Sequence, residues 1–224
     1  MKDYYQNSLN SNKLRECYKI APERVRQFLE SEISFVASKC NKNDMLLDLG
    51  CGYGRVSFKL MDKVDRIVGI DNSKDNIQLA KELQKENEKC EFLVMNAVDL
   101  KFADNLFDKV ICVQNGISAF NVDPLKLINE SIRVTKKGGS ILFSSYSEKF
   151  WDNRLEWFQL QSEKGLIGEI DYEQTKKGVI ICKDGFKAIT YSKEDFLKLA
   201  SNFYVTSTLH EVDNSSLFIE MIKL

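Results

Sequence analysis

At 224 residues, with 43% hydrophobic and 29% charged side chains, the chain can bury a full core and is short for two ordinary domains. Its 32 basic and 33 acidic residues nearly cancel, which removes the global positive field that nucleic acid or an anionic membrane would attract. Six scattered cysteines and one histidine, with no C-x-x-C pair, make a poor zinc or disulfide framework, so no metal is expected and the thiols read as reduced.

The opening MKDYYQNSLNSNKLRECY is polar where a signal peptide needs an apolar run, and nowhere do ~18 apolar residues follow one another. A cytoplasmic protein is the expectation. Over 13–38, apolar side chains recur at helical spacing and are interrupted at Pro22, which predicts two helices. From Met45 the pattern changes to short continuous apolar runs, MLLDL, RIVGI, EFLVM and FDKVICV, as in strands buried on both faces of a parallel sheet. Helical stretches at 55–61, 74–86 and 124–134 separate them, the last two preceded by Ser73 and Asp123 as caps. Gly138-Gly139 is read as a turn into a fifth strand, SILFSSY.

Residues 147–191 break this α/β rhythm. An aromatic-rich helix containing Trp151, Trp157 and Phe158 is followed by VIICKDGFKAIT, a hairpin turning at Asp184-Gly185. Ser192 and Asp195 then start the helix KEDFLKLAS, and FYVTSTL and SLFIEMI close the chain as two mutually antiparallel strands.

The chemistry is concentrated where the first strand ends. In DLGCGYG, Asp48 lies two residues before Gly50, and Gly52 and Gly54 follow at alternate positions before a helix. Glycines there let the chain turn sharply and let a ligand approach the backbone. The pyrophosphate pattern G-x-G-x-x-G does not fit, because its last position falls on Arg55 or Ser57. A carboxylate at Asp48 would repel a pyrophosphate and could accept hydrogen bonds from an ammonium. Asp71 ends the second strand, placed to receive two ribose hydroxyls, and the third and fourth strands end in MNAVDL and VQNG on the same crevice.

With DLGCGYG, GID (69–71), NAVDLKFADNLFDKVIC (96–112) and RVTKKGGSILFSSY (133–146) in order, the chain resembles the class I, Rossmann-like methyltransferases that use S-adenosylmethionine. The resemblance implies a doubly wound α/β sheet of seven strands, mostly parallel with an antiparallel last strand, plus N-terminal helices and an inserted cap. It implies one domain over 1–224: a helical lid at 1–40, a cofactor-binding core at 41–146, a cap insertion at 147–190, and a closing helix and strands at 191–224. It also places the cofactor. Asp48, Gly50, Cys51, Gly52 and Gly54 would hold the methionine portion, Asp71 the ribose, and Asn72, Asn96, Ala97 and Val98 the adenine. Gln114 and Asn115 would line the sulfonium side, and S-adenosylhomocysteine would be the product.

The acceptor is read as a small molecule, with Tyr18, Tyr146 and Trp151 as positioning candidates. An amine or thiol is favoured because His210, the one histidine, follows a late strand and is more readily structural than catalytic. Tyr4, Tyr5, Tyr18, Tyr146, Trp151, Trp157 and Tyr172 could form a cation-binding aromatic cage, although aromatics at helical spacing are more often core. Acidic Glu169, Asp171 and Glu173 in the insertion suggest a positive or zwitterionic acceptor. Asp108 is read as structural. Alternatives left open are RNA or protein methylation, non-catalytic binding of S-adenosylmethionine and, more remotely, a NAD-dependent oxidoreductase. An Asn-Pro-Pro-Tyr type motif of adenine and glutamine methylation is absent, since the fourth strand ends VQNGIS.

Overall fold

The computed structural model describes residues 4, 9, 11–84 and 89–224. Helices α1 (Ser11–Lys19) and α2 (Glu23–Ser38) are separated at Pro22, which precedes the first residue of α2. There follow β1 (Met45–Leu49), α3 (Arg55–Leu60), β2 (Arg66–Asp71), α4 (Lys74–Leu83), β3 (Cys90–Val94), β4 (Phe107–Cys112), a single turn α5 (Gly116–Ala119) and α6 (Pro124–Val134). The remainder is β5 (Thr135–Tyr146), α7 (Trp151–Glu163), the hairpin β6 (Val179–Ile181) and β7 (Lys187–Ile189), α8 (Lys193–Ala200), β8 (Val205–Val212) and β9 (Ser216–Lys223).

Seven strands form one sheet in the order β3-β2-β1-β4-β5-β9-β8. Contacts among β1 to β5 are all parallel, whereas β9 runs antiparallel to both β5 and β8. Because successive strand side chains point to opposite faces, Leu47 and Leu49 enter one core and Leu46 the other. On the first face they meet Leu127 and Ile128 of α6 and Phe196 of α8. On the second they meet Val36 of α2, Val56 and Leu60 of α3, and Ile77 of α4. Helices therefore cover both faces, as buried parallel strands require.

A third core lies apart from these two. Cys17, Val25, Phe28 and Leu29 of the N-terminal helices pack there with Tyr146, Trp157, Phe158, Ile180 and Phe186. The insertion and the N-terminal helices thus share an apolar interior.

Start signals act as the sequence implies. Ser73 accepts from Asn76 N, Asp123 from Leu125 N, and Ser192 with Asp195 makes a reciprocal capping box. The fifth strand begins earlier than the glycine pair suggests. Phe107 pairs with Thr135 but Lys109 pairs with Ser140, so residues between them bow out as a bulge, with Gly138 at φ +75°. The pair interrupts a strand instead of preceding one. Helix α4 is described as far as Leu83, and the rest of the expected 74–86 span reaches outside the described residues. Among the described residues no helix is long and apolar enough to cross a membrane.

Candidate active site

Chain connections leave β1 and β4 in opposite directions, and the C-terminal ends of β1, β2, β3 and β4 open onto one cavity of about 320 Å³. Of the residues expected at a cofactor, Gly50, Gly52, Asp71, Asn72, Asn96, Ala97 and Gln114 line it. Asp48 and Cys51 line a second space of about 50 Å³ that shares Gly50, Gly52, Tyr18 and Gln114 with the first.

Backbone geometry explains the first glycine. Gly50 has φ +71°, and a Cβ there would lie 2.4 Å from Phe120 Cε1. Gly54 has φ +86° and caps α3, but its absent Cβ faces Phe58 and Phe92, so it shapes the turn and stands outside both spaces.

Asp71 is held in place by donors on three sides. Gly52 N donates to its Oδ2 at 3.0 Å, and Ser73 N and Asn76 Nδ2 donate to Oδ1 at 2.8 and 3.2 Å. Asp48 is buried beneath the glycine loop, where Ser57 Oγ donates to its Oδ2 at 2.6 Å. Burial pushes its pKa up to about 6, against the opposing pull of Ser57 and Arg55, and the charge of Asp71 adds to the rise.

Two residues that the sequence reading leaves out complete this end. Arg55 enters that reading only as the residue that spoils a dinucleotide pattern. Its guanidinium lies 4.7 Å from the Tyr18 ring centroid, it lines the smaller space, and Nε and Nη2 are buried with no hydrogen-bond partner. Buried donors without partners are costly, so this pair is built to meet an acceptor. Glu32 is 1% exposed, accepts from Gln114 N at 3.1 Å and from Ser216 Oγ at 2.7 Å, and is pushed by burial up to about 7. Its signal was available: Glu32 sits four residues after Phe28 and four before Val36, on the buried stripe of α2.

Gln114 and Asn115 both adopt positive φ, 55° and 59°, an arrangement uncommon for non-glycine residues. Gln114 faces the cavity, and its Oε1 accepts the Tyr18 hydroxyl at 2.8 Å. Asn115 does not face it. Its Nδ2 donates to Ile189 O and its Oδ1 accepts from Ser145, so it ties the end of β4 to β7 and β5. Val98 likewise lies away, in a surface groove with Leu125 and Phe203, because its N–H turns back to Asn96 Oδ1.

Tyr18 and Tyr146 line the cavity, but Trp151 does not. Arg154, Trp157, Phe158 and Gln161 form the buried stripe of α7, and Trp157, Phe158 and Gln161 reach the cavity. Trp151 sits at the start of that helix, in a separate groove with Arg154, Thr190 and Tyr146. Of the other cage candidates, Tyr4 bonds Asp184 Oδ2 at 2.6 Å, Tyr172 is 62% exposed, and Tyr5 lies outside the described residues. The acidic residues of the insertion also lie elsewhere. Glu169 pairs with Lys183 at 2.6 Å, Asp171 accepts from Gln174, and neither lines the cavity, nor does Glu173. The structure therefore removes their support for a cationic acceptor. His210 bonds Glu220 at 2.8 Å and packs on Phe35, also outside the cavity. Asp108 accepts from Met45 N at 2.9 Å and pairs with Lys136, a structural role.

Residues 40–202 match the family model described as a methyltransferase domain. The demethylmenaquinone methyltransferase of Bacillus licheniformis is 30% identical over 135 residues, 58% of this chain and 57% of that protein. The chain spans about half the length of the curated relatives it matches. Among solved structures, the PH0226 protein of Pyrococcus horikoshii OT3 superposes with a TM-score of 0.67 at 25% identity over 100% of both chains. N-methyltransferase NodS of Bradyrhizobium japonicum WM9, solved with S-adenosyl-L-homocysteine, shares the fold at a TM-score of 0.61 and 13% identity, covering 97% of this chain and 99% of that one. A family match over more than half the chain, together with this sheet order and glycine loop, shows that the chain belongs to the S-adenosylmethionine-dependent class I methyltransferases.

Proposed function

We propose that this chain transfers the methyl group of S-adenosylmethionine to a small-molecule acceptor through an amine nitrogen or a thiol sulfur. One observation carries the reading: a single glycine loop has the fixed carboxylate of Asp71 at one side and, at the other, a small space lined by the buried Asp48 carboxylate and by Arg55 with two unpartnered donors. The residues fit the cofactor. Asp71 would accept from ribose hydroxyls, Asn96 and Ala97, which line the cavity, would flank the adenine, and the orphan donors of Arg55 would meet the methionine carboxylate. Asp48, in the small space beside the loop, would hold the ammonium.

When bound, the cofactor supplies a methyl already activated by a sulfonium leaving group. What remains for the protein is alignment, exclusion of water and an acceptor with an available lone pair. Helix α1 and α7 supply the walls through Cys17, Tyr18, Trp157 and Phe158, which makes 1–40 a lid and 147–190 a cap in this reading. No histidine lines the cavity, and the carboxylates nearby are engaged: Asp71 by three donors and Glu32 by two. A nucleophile needing no strong base fits such a site best.

Calorimetric titration with S-adenosylmethionine, S-adenosylhomocysteine and NAD tests the reading. Micromolar binding of the first two, lost in Asp71→Ala, is expected and licenses a screen of amines and thiols for methyl transfer. No heat with either, or a preference for NAD, refutes it.

A further inference from the structure

Part of the cavity wall is aromatic. Tyr18 lies 6.1 Å from Trp157, Trp157 5.9 Å from Phe158, and Phe28 5.3 Å from Tyr146, all between ring centroids. All five rings line the cavity, together with Cys17 and Gln161. Among the described residues, Asp71 beside the glycine loop is the one charged side chain that lines the cavity. A charged acceptor entering between the rings would lose its hydration without meeting a counter-ion, which is strongly unfavourable.

Among the described residues beside these rings, bases are missing as well. Burial pushes the Cys17 thiol and the Tyr146 phenol up to about 12, and moves Tyr18 further in the same direction, so all three hold their protons at neutral pH. An alkylamine, with a pKa near that of lysine at about 10.4, would arrive protonated and have nothing to deprotonate it. Two polar handles remain, the first being Gln114, whose Nε2 is buried with no hydrogen-bond partner among the described residues; the second is Gln161. Gln161 is 3% exposed, lines the cavity, and its carboxamide makes no hydrogen bond among the described residues. It offers a donor and an acceptor side by side to whatever lies between the rings.

Resting on the methyl-transfer reading, and narrowing its nitrogen acceptor to one that carries no proton, we propose that the acceptor is a neutral, planar nitrogen heteroaromatic, methylated on its ring nitrogen and gripped at a polar substituent by Gln161. The ring nitrogen's lone pair forms the new N–CH₃ bond while the S–CH₃ electron pair leaves with sulfur. Positive charge passes from sulfur to nitrogen, and no proton moves. A site without a base is then complete. The ring of Trp157 stabilises the acceptor as it becomes cationic, by about 0.5–2 kcal/mol for a good contact, whereas Tyr18 and Tyr146 already carry the guanidiniums of Arg55 and Arg154 at 4.7 and 4.3 Å.

The test uses Trp151→Phe, which leaves Trp157 as the sole tryptophan of the two in the chain and a reporter in the cavity wall. The S-adenosylhomocysteine-saturated protein is titrated with nicotinamide, isoquinoline, benzylamine and hydroquinone, and methyl transfer to each is followed with labelled S-adenosylmethionine. Nicotinamide and isoquinoline should quench Trp157 and exceed the other two in kcat/KM by at least about tenfold. Gln161→Leu should lower nicotinamide turnover about tenfold and move isoquinoline less than about threefold, since only nicotinamide carries an amide for Gln161. Preference for benzylamine or hydroquinone, or no quenching and no transfer with either heteroaromatic while S-adenosylhomocysteine still binds, overturns the proposal. Failure of S-adenosylhomocysteine itself to bind would instead refute the methyl-transfer reading on which it rests.

Discussion

The hydroxyl of Tyr18 donates to Gln114 Oε1 at 2.8 Å, joining helix α1 to the residue where β4 leaves the sheet with positive φ. The same ring carries the Arg55 guanidinium at 4.7 Å. Tyr18→Phe keeps the ring and loses the bond, leaving a polar atom of Gln114 unmet, so stability should fall by about 1–2 kcal/mol. Tyr18→Leu loses the ring as well and should cost about 1 kcal/mol more. Urea midpoints for the two variants separate these contributions; identical midpoints would mean that the ring face does not hold Arg55.

Arg55 gives a sharper test of how the cofactor is held. Arg55→Met keeps the length of the side chain and removes the orphan donors. Affinity for S-adenosylhomocysteine should drop at least about tenfold, the loss of one charge-assisted contact. Binding of 5′-methylthioadenosine, which has no amino-acid portion, should change by less than about threefold, because no carboxylate reaches Arg55. Equal losses for both ligands would show that the substitution disturbs the loop instead of a carboxylate contact.

Glu32 makes stability depend on pH. Its ordinary value of 4.5 rises to about 7 in the fold, so between these values the folded chain holds a proton that the unfolded chain has released. The stabilisation associated with that proton is complete below about pH 4.5 and is lost as pH rises through about 7. Asp48, raised from 3.8 to about 6, acts in the same direction over a slightly lower window. Glu32→Gln retains an amide that can serve both Gln114 N and Ser216 Oγ and has no charge to bury. At pH 8 it should be more stable than the parent by on the order of 1–3 kcal/mol, and near pH 4.5 the two should converge. Thermal melts of both proteins across this range check the sign, and a difference that grows on acidification would refute it.

The contrast between Asp71 and Asn115 shows what a sequence can carry. Asp71 ends a buried apolar run beside a glycine loop, so its place at the crevice follows from strand length and sheet topology alone. Asn115 follows its strand in the same way, yet φ +59° turns its side chain into the sheet toward Ile189 and Ser145. No pattern of residue types announces that rotation. Tyr146 and Trp151 differ similarly: both are aromatic and near the end of β5, but Tyr146 lines the cavity and Trp151 lines only a neighbouring groove. Arg55 was visible as a residue and invisible as a function, because its meaning lies in what its buried nitrogens lack.

Gly50→Ala separates two reasons for one glycine. The added Cβ would sit 2.4 Å from Phe120 Cε1, and φ +71° is itself unfavourable for alanine. The steric part can be relieved and the backbone part cannot. Alanine at Gly50 should therefore destabilise the fold by about 2–4 kcal/mol and weaken S-adenosylhomocysteine strongly. Phe120→Leu alone should cost about 1 kcal/mol. In the double variant the clash disappears, so the total should be smaller than the sum by on the order of 1–2 kcal/mol, with about 1 kcal/mol of backbone strain remaining. Urea unfolding of the four proteins in this cycle measures the coupling directly. Additive losses would mean that Phe120 moves aside freely and that backbone conformation alone requires glycine at this position.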